Sequence, residues 1–144
     1  MEYQRSAHAV YELTYHLVWV PKYRRMVLRE PVARRCEMIF RETAERYGFA
    51  IREQAVRLDH VHLLVVAPPR WSPAELVRVL KSCSARQLFA EFPHLRDALW
   101  GGELWSDGYF VRATGAAVTQ LVIQRYIRHQ HRHEEGPRQV RFRF

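Results

Sequence analysis

The segment from Asp59 to Val66 constrains the fold of this chain more than any other. It is mostly apolar, rich in β-branched side chains and soon followed by Pro68 and Pro69, a pattern typical of a buried β-strand. Successive side chains on a strand point to opposite faces, so His60 and His62 share one face, roughly 6–7 Å apart along the backbone. The strand therefore presents two imidazoles side by side on a rigid element.

The chemistry of this histidine pair is open at this point. Two imidazoles at alternate positions of one strand can each offer a ring nitrogen to the same metal ion. Two histidines on a sheet can equally be structural residues whose ring nitrogens are satisfied by hydrogen bonds. The apolar residues on both sides of the pair favour the metal-binding interpretation.

Length and composition predict one folded domain covering residues 1–144. Hydrophobic residues make up 48% of the chain, which favours a packed core over disorder. No apolar run approaches the roughly 20 residues that span a bilayer, and the N-terminal segment lacks the apolar part of a signal peptide. Cys36 and Cys83 lie in apolar helical patterns without a C-x-x-C spacing, as in a reducing compartment. We therefore expect a cytoplasmic protein without a membrane partner.

The charge balance predicts a polyanionic partner. Lysine and arginine together number 23 against 15 aspartate and glutamate residues, a formal net charge of +8 at pH 7. Most of the positive residues are arginine, whose planar guanidinium group suits phosphate better than an ammonium group does. Nucleic acid is the leading candidate. The alternative is a generally arginine-rich composition without a binding role.

The order of predicted elements indicates the fold class. Hydrophobic periodicity and the capping signals Ser72-Pro73 and Gly48 place strands and helices along the chain. The elements are a strand at 8–20, a helix at 31–47, strands at 49–58 and 59–66, a helix at 73–92, a glycine- and aromatic-rich hairpin at 98–113, a helix at 116–131, and an edge strand or basic arm at 139–144. This order predicts an α+β fold, an antiparallel sheet with helices packed on it, of the ferredoxin or RNA-recognition-module type.

Two clusters of basic residues are candidate phosphate contacts. One forms a turn around Tyr23, after the first strand, and the other lies off the apolar stripe of the 73–92 helix. Each is equally consistent with a solvated, charged surface. The residues are Lys22, Arg24 and Arg25 in the first cluster, and Arg78, Lys81 and Arg86 in the second.

The last predicted helix offers partners for the histidine pair. Tyr126 and Gln130 are four residues apart and therefore share one helical face. A glutamine carbonyl oxygen is a neutral metal ligand, and a tyrosine hydroxyl can act as a nucleophile. By itself such a pair is usually structural, and only the combination with His60 and His62 makes a catalytic role credible.

Several enzyme classes do not match the pattern. Histidine-triad hydrolases have a third alternating histidine, and that position here is Leu64. Binuclear phosphoesterases need further aspartates at strand ends, which the sequence lacks. No glycine-rich phosphate loop follows a predicted strand, which argues against an enzyme driven by nucleotide hydrolysis.

Four motifs together resemble the insertion sequence 200/605-type transposases, which are single-tyrosine members of the His-hydrophobe-His endonucleases. The similarity extends from Tyr11 to Gln130, and the motifs occur in the same order as in the family. They are Tyr15–Arg25, Asp59–Val65, Trp105–Val111 and Tyr126–Gln130. The resemblance implies that His60, His62 and Gln130 are metal ligands and that Tyr126 is the nucleophile.

The resemblance also implies a reaction, a substrate and an assembly. The reaction would cleave and rejoin single-stranded DNA through a 5′-phosphotyrosine, with recognition of hairpins at the ends of a mobile element. The cofactor would be Mg²⁺, with Mn²⁺ also accepted because two imidazoles favour it. Arg125 and Arg128 are candidate DNA contacts that could also favour the phenolate of Tyr126. The expected homodimer has a merged sheet and exchanges tyrosine helices about a hinge at Gly115, which is otherwise a plain turn glycine.

Two alternatives accompany this interpretation. One is a domesticated single-tyrosine endonuclease that acts on chromosomal repeat hairpins with the same catalytic residues. The other is a non-catalytic nucleic-acid-binding module that uses only the basic surfaces. The basic C-terminal tail, residues 132–144, lies beyond the resemblance.

Overall fold

A computed structural model describes residues 4–5, 10–11, 13–113 and 124–128 of the chain. Strands and helices are mixed along the chain. They are β1 (Gln4–Arg5), β2 (Val10–Tyr11), β3 (Thr14–Trp19), a 3₁₀ turn (Lys22–Arg24), α1 (Val32–Tyr47), β4 (Ala50–Arg57), β5 (His60–Val66), α2 (Pro73–Glu91), α3 (His94–Ala98) and β6 (Phe110–Ala113). Residues 124–128 are also helical.

Four strands form one antiparallel sheet in the order β4-β5-β3-β6, and β1 pairs with β2 separately. The histidine strand β5 is therefore internal, between β4 and β3. Val18 on β3 lies directly opposite His62 on one side and Phe110 of β6 on the other. The predicted antiparallel α+β fold is confirmed.

The two faces of the sheet carry different partners. Leu17, Trp19, Val61 and Leu63 point into the main core, where residues of α1 and α2 cover them. Alternation sends His60, His62 and the even-numbered residues of β3 to the opposite face. On that face a second, smaller cluster contains Val18, Val20 and Ile127. The histidines thus lie on the face that α1 and α2 leave uncovered.

The helix ends follow the sequence signals. Gly48 ends α1 in the left-handed region at φ 84°, where a residue with a Cβ atom is strained. The Ser72 side chain accepts a hydrogen bond from the Glu75 backbone N–H at 3.1 Å, and Pro73 occupies the first turn of α2. Both predicted caps are confirmed.

The hairpin predicted at 98–113 is wrong. Within this range, all of which the structure describes, only Phe110–Ala113 forms a strand, and it pairs with β3. The preceding segment lies along residues 20–22, with Lys22 N–H donating to Leu104 and Ser106 N–H donating to Val20. Trp105 explains this path, because its buried indole packs edge-on against Trp19 and donates to the Ser84 hydroxyl at 2.9 Å. Burial of the Trp105 side chain stabilises this path more than strand pairing within a hairpin would.

Other predictions fall wholly or partly outside the described residues. The 116–131 helix is described only at 124–128, which is helical, as predicted. Gly115, Gln130 and the 132–144 tail lie outside them. Both cysteines are buried and free, and none of the described helices is long and apolar enough to cross a membrane.

Candidate active site

His60 is oriented by the residue before it. Its side chain is only 13% exposed, and its Nδ1 lies 3.0 Å from Oδ1 of Asp59. A carboxylate at this distance accepts the Nδ1 proton and thereby leaves the lone pair on Nε2. A carboxylate–histidine pair of this kind usually orients a metal ligand and raises its basicity.

Arg24 extends this arrangement to the basic turn. Its Nε lies 3.5 Å from the other carboxylate oxygen of Asp59, and both side chains are about one-quarter exposed. Asp59 therefore lies between a guanidinium and an imidazole. The predicted role of Arg24 in DNA binding stays a prediction, and the structure adds a positioning contact.

His16 is a site residue that the sequence did not reveal. Its Nδ1 lies 3.2 Å from Nε2 of His62, and the two ring centroids are 5.4 Å apart. The alternation of β3 puts His16 on the same face of its strand as Thr14 and Val18. The missing information was the register, which pairs His16 with Leu64 and so brings it diagonally next to His62.

Both histidines of this contact favour the neutral form. Burial lowers the pKa of His62, and the neighbouring His16 and His60 lower it further when they are charged. Burial also lowers the pKa of His16, as does the positive charge of Arg112, whereas Glu53 opposes the shift in both. Neutral imidazole is the form that binds a metal ion, so the environment suits that use.

Tyr126 lies over the same face of the sheet. The side chains of Tyr126 and Ile127 pack with Val18 and Phe110, and the Tyr126 and Phe110 rings are 6.3 Å apart. Phe110, Val18 and His62 face one another on three adjacent strands spaced by about 4.8 Å. Tyr126 and the histidine pair therefore share one face of the sheet, and the catalytic role of the tyrosine stays a prediction.

A small cavity opens beside His62. It has a volume of about 80 Å³ and is lined by Glu53, Gln54, Ala55, His62 and Leu64. The described part of the chain contains no group of three histidine, cysteine or acidic side chains arranged for a metal ion. The third ligand predicted from sequence, Gln130, is of another type and lies outside the described residues.

Apart from Arg24, the predicted basic contacts divide into two groups. Lys22 is buried, with Nζ 4.0 Å from a carboxylate oxygen of Glu103. Lys81 donates to the carbonyl oxygens of Ser106 and Gly108, both at 2.7 Å, and so anchors that segment. The exposed members are Arg25, Arg78, Arg86, Arg125 and Arg128.

Comparison with known proteins decides the family. The family model described as "Transposase IS200 like" matches residues 9–130. The chain belongs to this family. Like its other members, this IS200-like transposase acts in DNA transposition, which proceeds by cleavage and transfer of DNA strands.

Relatives support the assignment along nearly the whole chain. The ISDra2 transposase TnpA of Deinococcus radiodurans is 40% identical over 131 residues, covering 91% of this chain and 93% of that protein. The transposase for insertion sequence element IS200 of Salmonella typhimurium is 33% identical over 124 residues, covering 86% and 80% respectively.

Solved structures share the fold of this IS200-like transposase. A crystal structure at 1.90 Å of a protein from D. radiodurans R1, assigned as a transposase, superposes with a TM-score of 0.81 at 41% identity, covering 89% of this chain and 98% of that one. A REP-associated tyrosine transposase bound to a REP hairpin gives a TM-score of 0.53 at 14% identity, covering 90% and 67%. The second similarity concerns the fold alone.

Proposed function

We propose that this transposase cleaves and rejoins single-stranded DNA through a covalent 5′-phosphotyrosine on Tyr126, with a divalent metal ion held by His60, His62 and Gln130. One observation carries the proposal: the helical segment with Tyr126 packs on the sheet face that bears the two histidines.

The donor set fits a divalent cation. Asp59 fixes the His60 ring so that Nε2 is available, and the lowered pKa of His62 keeps its imidazole neutral. Two neutral imidazoles and an amide oxygen leave the full charge of Mg²⁺ or Mn²⁺ for the substrate. Such an ion supplies electrostatic stabilisation to the scissile phosphate and to the departing 3′ oxygen.

The protein residues perform the transfer. The Oη atom of Tyr126 forms a bond to phosphorus while the bond from phosphorus to the 3′ oxygen breaks. The phenol loses its proton, and the departing oxygen gains one to become a 3′-hydroxyl. One phosphodiester-type bond replaces another, so rejoining needs no nucleotide hydrolysis. Only about one tyrosine in a thousand is ionised at pH 7, so we assign Arg125 and Arg128, on the same helix, the role of favouring the phenolate.

We infer that the substrate is single-stranded DNA next to hairpins at the element ends. The exposed arginines supply positive charge on a chain with a formal net charge of +8. A single strand can bend freely, and this freedom allows the tyrosine oxygen to align with the departing oxygen. This reaction takes place in the cytoplasm, where the DNA of the element resides.

We further propose a homodimer with a merged sheet. Strand β6 is an edge of the sheet, and its Val111 is 38% exposed, so a second copy could extend the sheet there. In such a dimer the tyrosine helix could turn at Gly115 and complete the site of the partner. Mixing His62→Ala with Tyr126→Phe protein restores cleavage only if the two residues act in different subunits.

Covalent capture tests the proposed chemistry. Labelled single-stranded DNA from the flanks of the gene is incubated with protein and Mn²⁺, and adducts are separated on a denaturing gel. Tyr126→Phe should abolish the adduct, His62→Ala should abolish the adduct that forms in Mn²⁺, and the control Tyr47→Phe should retain it. Capture by Tyr126→Phe equal to that by the wild-type protein would contradict the assigned nucleophile. This holds whether the natural substrate is a mobile element or a chromosomal repeat hairpin.

A further inference from the structure

Trp100 is exposed to an unusual degree. Its relative exposure is 67%, whereas Trp19 and Trp105 are buried and Trp71 is half-buried. A large aromatic surface in water costs free energy that burial would recover. An exposed tryptophan therefore indicates a surface that meets a partner.

Neighbouring side chains hold the indole in place. The Tyr23 ring lies 4.9 Å from the Trp100 ring, tilted by 59°, and the Arg25 guanidinium lies 4.8 Å from the Trp100 ring centroid. The Nζ atom of the buried Lys22 lies 5.6 Å from the centroid of the Tyr23 ring. Together, Tyr23, Arg25 and Trp100 form an ordered cluster of π-surfaces and positive charge, which we name the Trp100 platform.

The backbone beneath the platform is strained. Tyr23, Arg24 and Trp100 all have positive φ values, of 59°, 51° and 56°, although none is glycine. Surrounding contacts hold this conformation, among them the hydrogen bond from Lys22 N–H to Leu104 and the ion pair from Arg24 to Asp59. Strain of this kind is concentrated at functional sites.

A pocket adjoins the same turn. It has a volume of about 560 Å³, and Arg24 and Arg25 form part of its wall. Its lining has three arginines against the single acidic residue Glu30, together with apolar surface, a combination that suits a phosphate with an attached base. Arg29 and His94 also line its polar side, and Met26 and Leu95 line its apolar side.

We propose that the Trp100 platform binds an unpaired nucleotide of the DNA substrate, with its base stacked on Trp100 and its phosphates contacting Arg25 and Arg29. The identity of the ligand rests on the proposed function. Bases within a duplex already stack on one another, so an indole at the surface can accept only an unpaired base or a terminal pair.

The platform is also connected to the catalytic residues. Arg24, between Tyr23 and Arg25 in the same turn, contacts Asp59, which in turn contacts His60. A nucleotide bound at the turn is thereby held at a fixed position relative to the histidine pair. We infer that the platform helps to set which phosphate of the strand reaches Tyr126.

Fluorescence titration tests the site in a Tyr126→Phe background, where no cleavage occurs. Oligothymidylate should quench tryptophan emission, and Trp100→Leu should weaken its binding about tenfold, as measured by anisotropy of a labelled oligonucleotide. Trp100→Phe should retain most of the affinity because it keeps a π-face. Tyr47→Leu, which changes an exposed aromatic residue on α1, should bind normally.

The outcomes separate this inference from the proposed function. Wild-type affinity in folded Trp100→Leu, or an equal loss in Trp100→Phe, would overturn the stacking site. Photocrosslinking to bromouracil-containing DNA probes the platform in the unaltered protein. We expect a crosslinked peptide that carries the DNA on Trp100. Crosslinks confined to other residues would overturn the site. Absence of any binding by the unaltered protein would contradict the proposed function as well. Capture by Tyr126→Phe would contradict only the nucleophile.

Discussion

At the scale of single residues, Asp59 and His16 determine what the histidine pair can do. Asp59 binds Nδ1 of His60 and so leaves the lone pair on Nε2, whereas His16 contacts the Nε2 atom of His62. The sequence predicted His60 and His62 because their alternation on one strand is local. It could not predict the contact with His16, since that contact depends on the register between β3 and β5.

Replacement of Asp59 by Asn should weaken metal binding. An amide cannot orient and polarise the His60 imidazole as a carboxylate does, and loss of such a partner typically costs ten- to a hundredfold in metal affinity. Calorimetric titration with Mn²⁺ measures the change. Asp97→Asn, an exposed acidic residue on α3, is the control. Equal affinities of Asp59→Asn and wild-type protein would contradict the orienting role.

Metal-free protein should lose stability as the pH falls below about 6.5. The pKa values of His16 and His62 are lowered in the folded state, so the unfolded chain takes up protons first. The free energy of unfolding begins to fall near the pKa of the unfolded chain and levels off below the pKa of the folded protein. The total loss is about 1.4 kcal/mol for each unit by which the two pKa values differ. Urea unfolding in EDTA between pH 8 and pH 5 measures it. His16→Asn should flatten the profile, and an unchanged slope would contradict this assignment.

At the scale of elements, the fold could be predicted where local signals and packing agree. The caps of α1 and α2 and the two strands β4 and β5 lie close to the predicted positions. The predicted hairpin at 98–113 is wrong because glycine and aromatic residues are only local signals for turns and strands. Trp105 is instead fixed by long-range burial against Trp19, which no local pattern reveals.

The helical segment with Tyr126 should detach from the sheet without unfolding the rest of the protein. Ile127 is buried in the small cluster with Val18 and Val20, apart from the main core. Ile127→Ala should therefore release the helix and slow adduct formation about tenfold, with little change in the midpoint of thermal unfolding. Capture kinetics and calorimetry measure the two effects. The exposed Gln124→Ala is the control, and a parallel loss of stability would contradict independent docking.

At the scale of the whole molecule, the charge distribution governs DNA binding. The formal net charge is +8, and five of the eight candidate DNA contacts predicted from sequence are exposed arginines, Arg25, Arg78, Arg86, Arg125 and Arg128. The composition predicted a polyanionic partner, but it could not distinguish these arginines from Lys22 and Lys81. Those two lysines stabilise the segment before β6 from within the fold.

Binding of single-stranded DNA should therefore weaken steeply with salt. Each phosphate contact contributes about −0.7 to the slope of the logarithm of the binding constant against the logarithm of salt concentration. Arg25→Ala should reduce the slope by about one contact, and Lys22→Ala should not alter it. Anisotropy titrations between roughly 50 and 300 mM salt measure the slopes of both variants. A flat salt response would contradict phosphate binding by the arginines.

The central claim is that Tyr126 becomes covalently joined to DNA beside a metal-binding histidine pair. Tandem mass spectrometry of the protease-digested adduct tests this most directly, because it locates the modified residue. We predict a nucleotide joined through its 5′-phosphate to Tyr126, formed in Mn²⁺ and missing from His62→Ala protein. An adduct at any other residue, or one formed equally well without metal ions, would contradict the account.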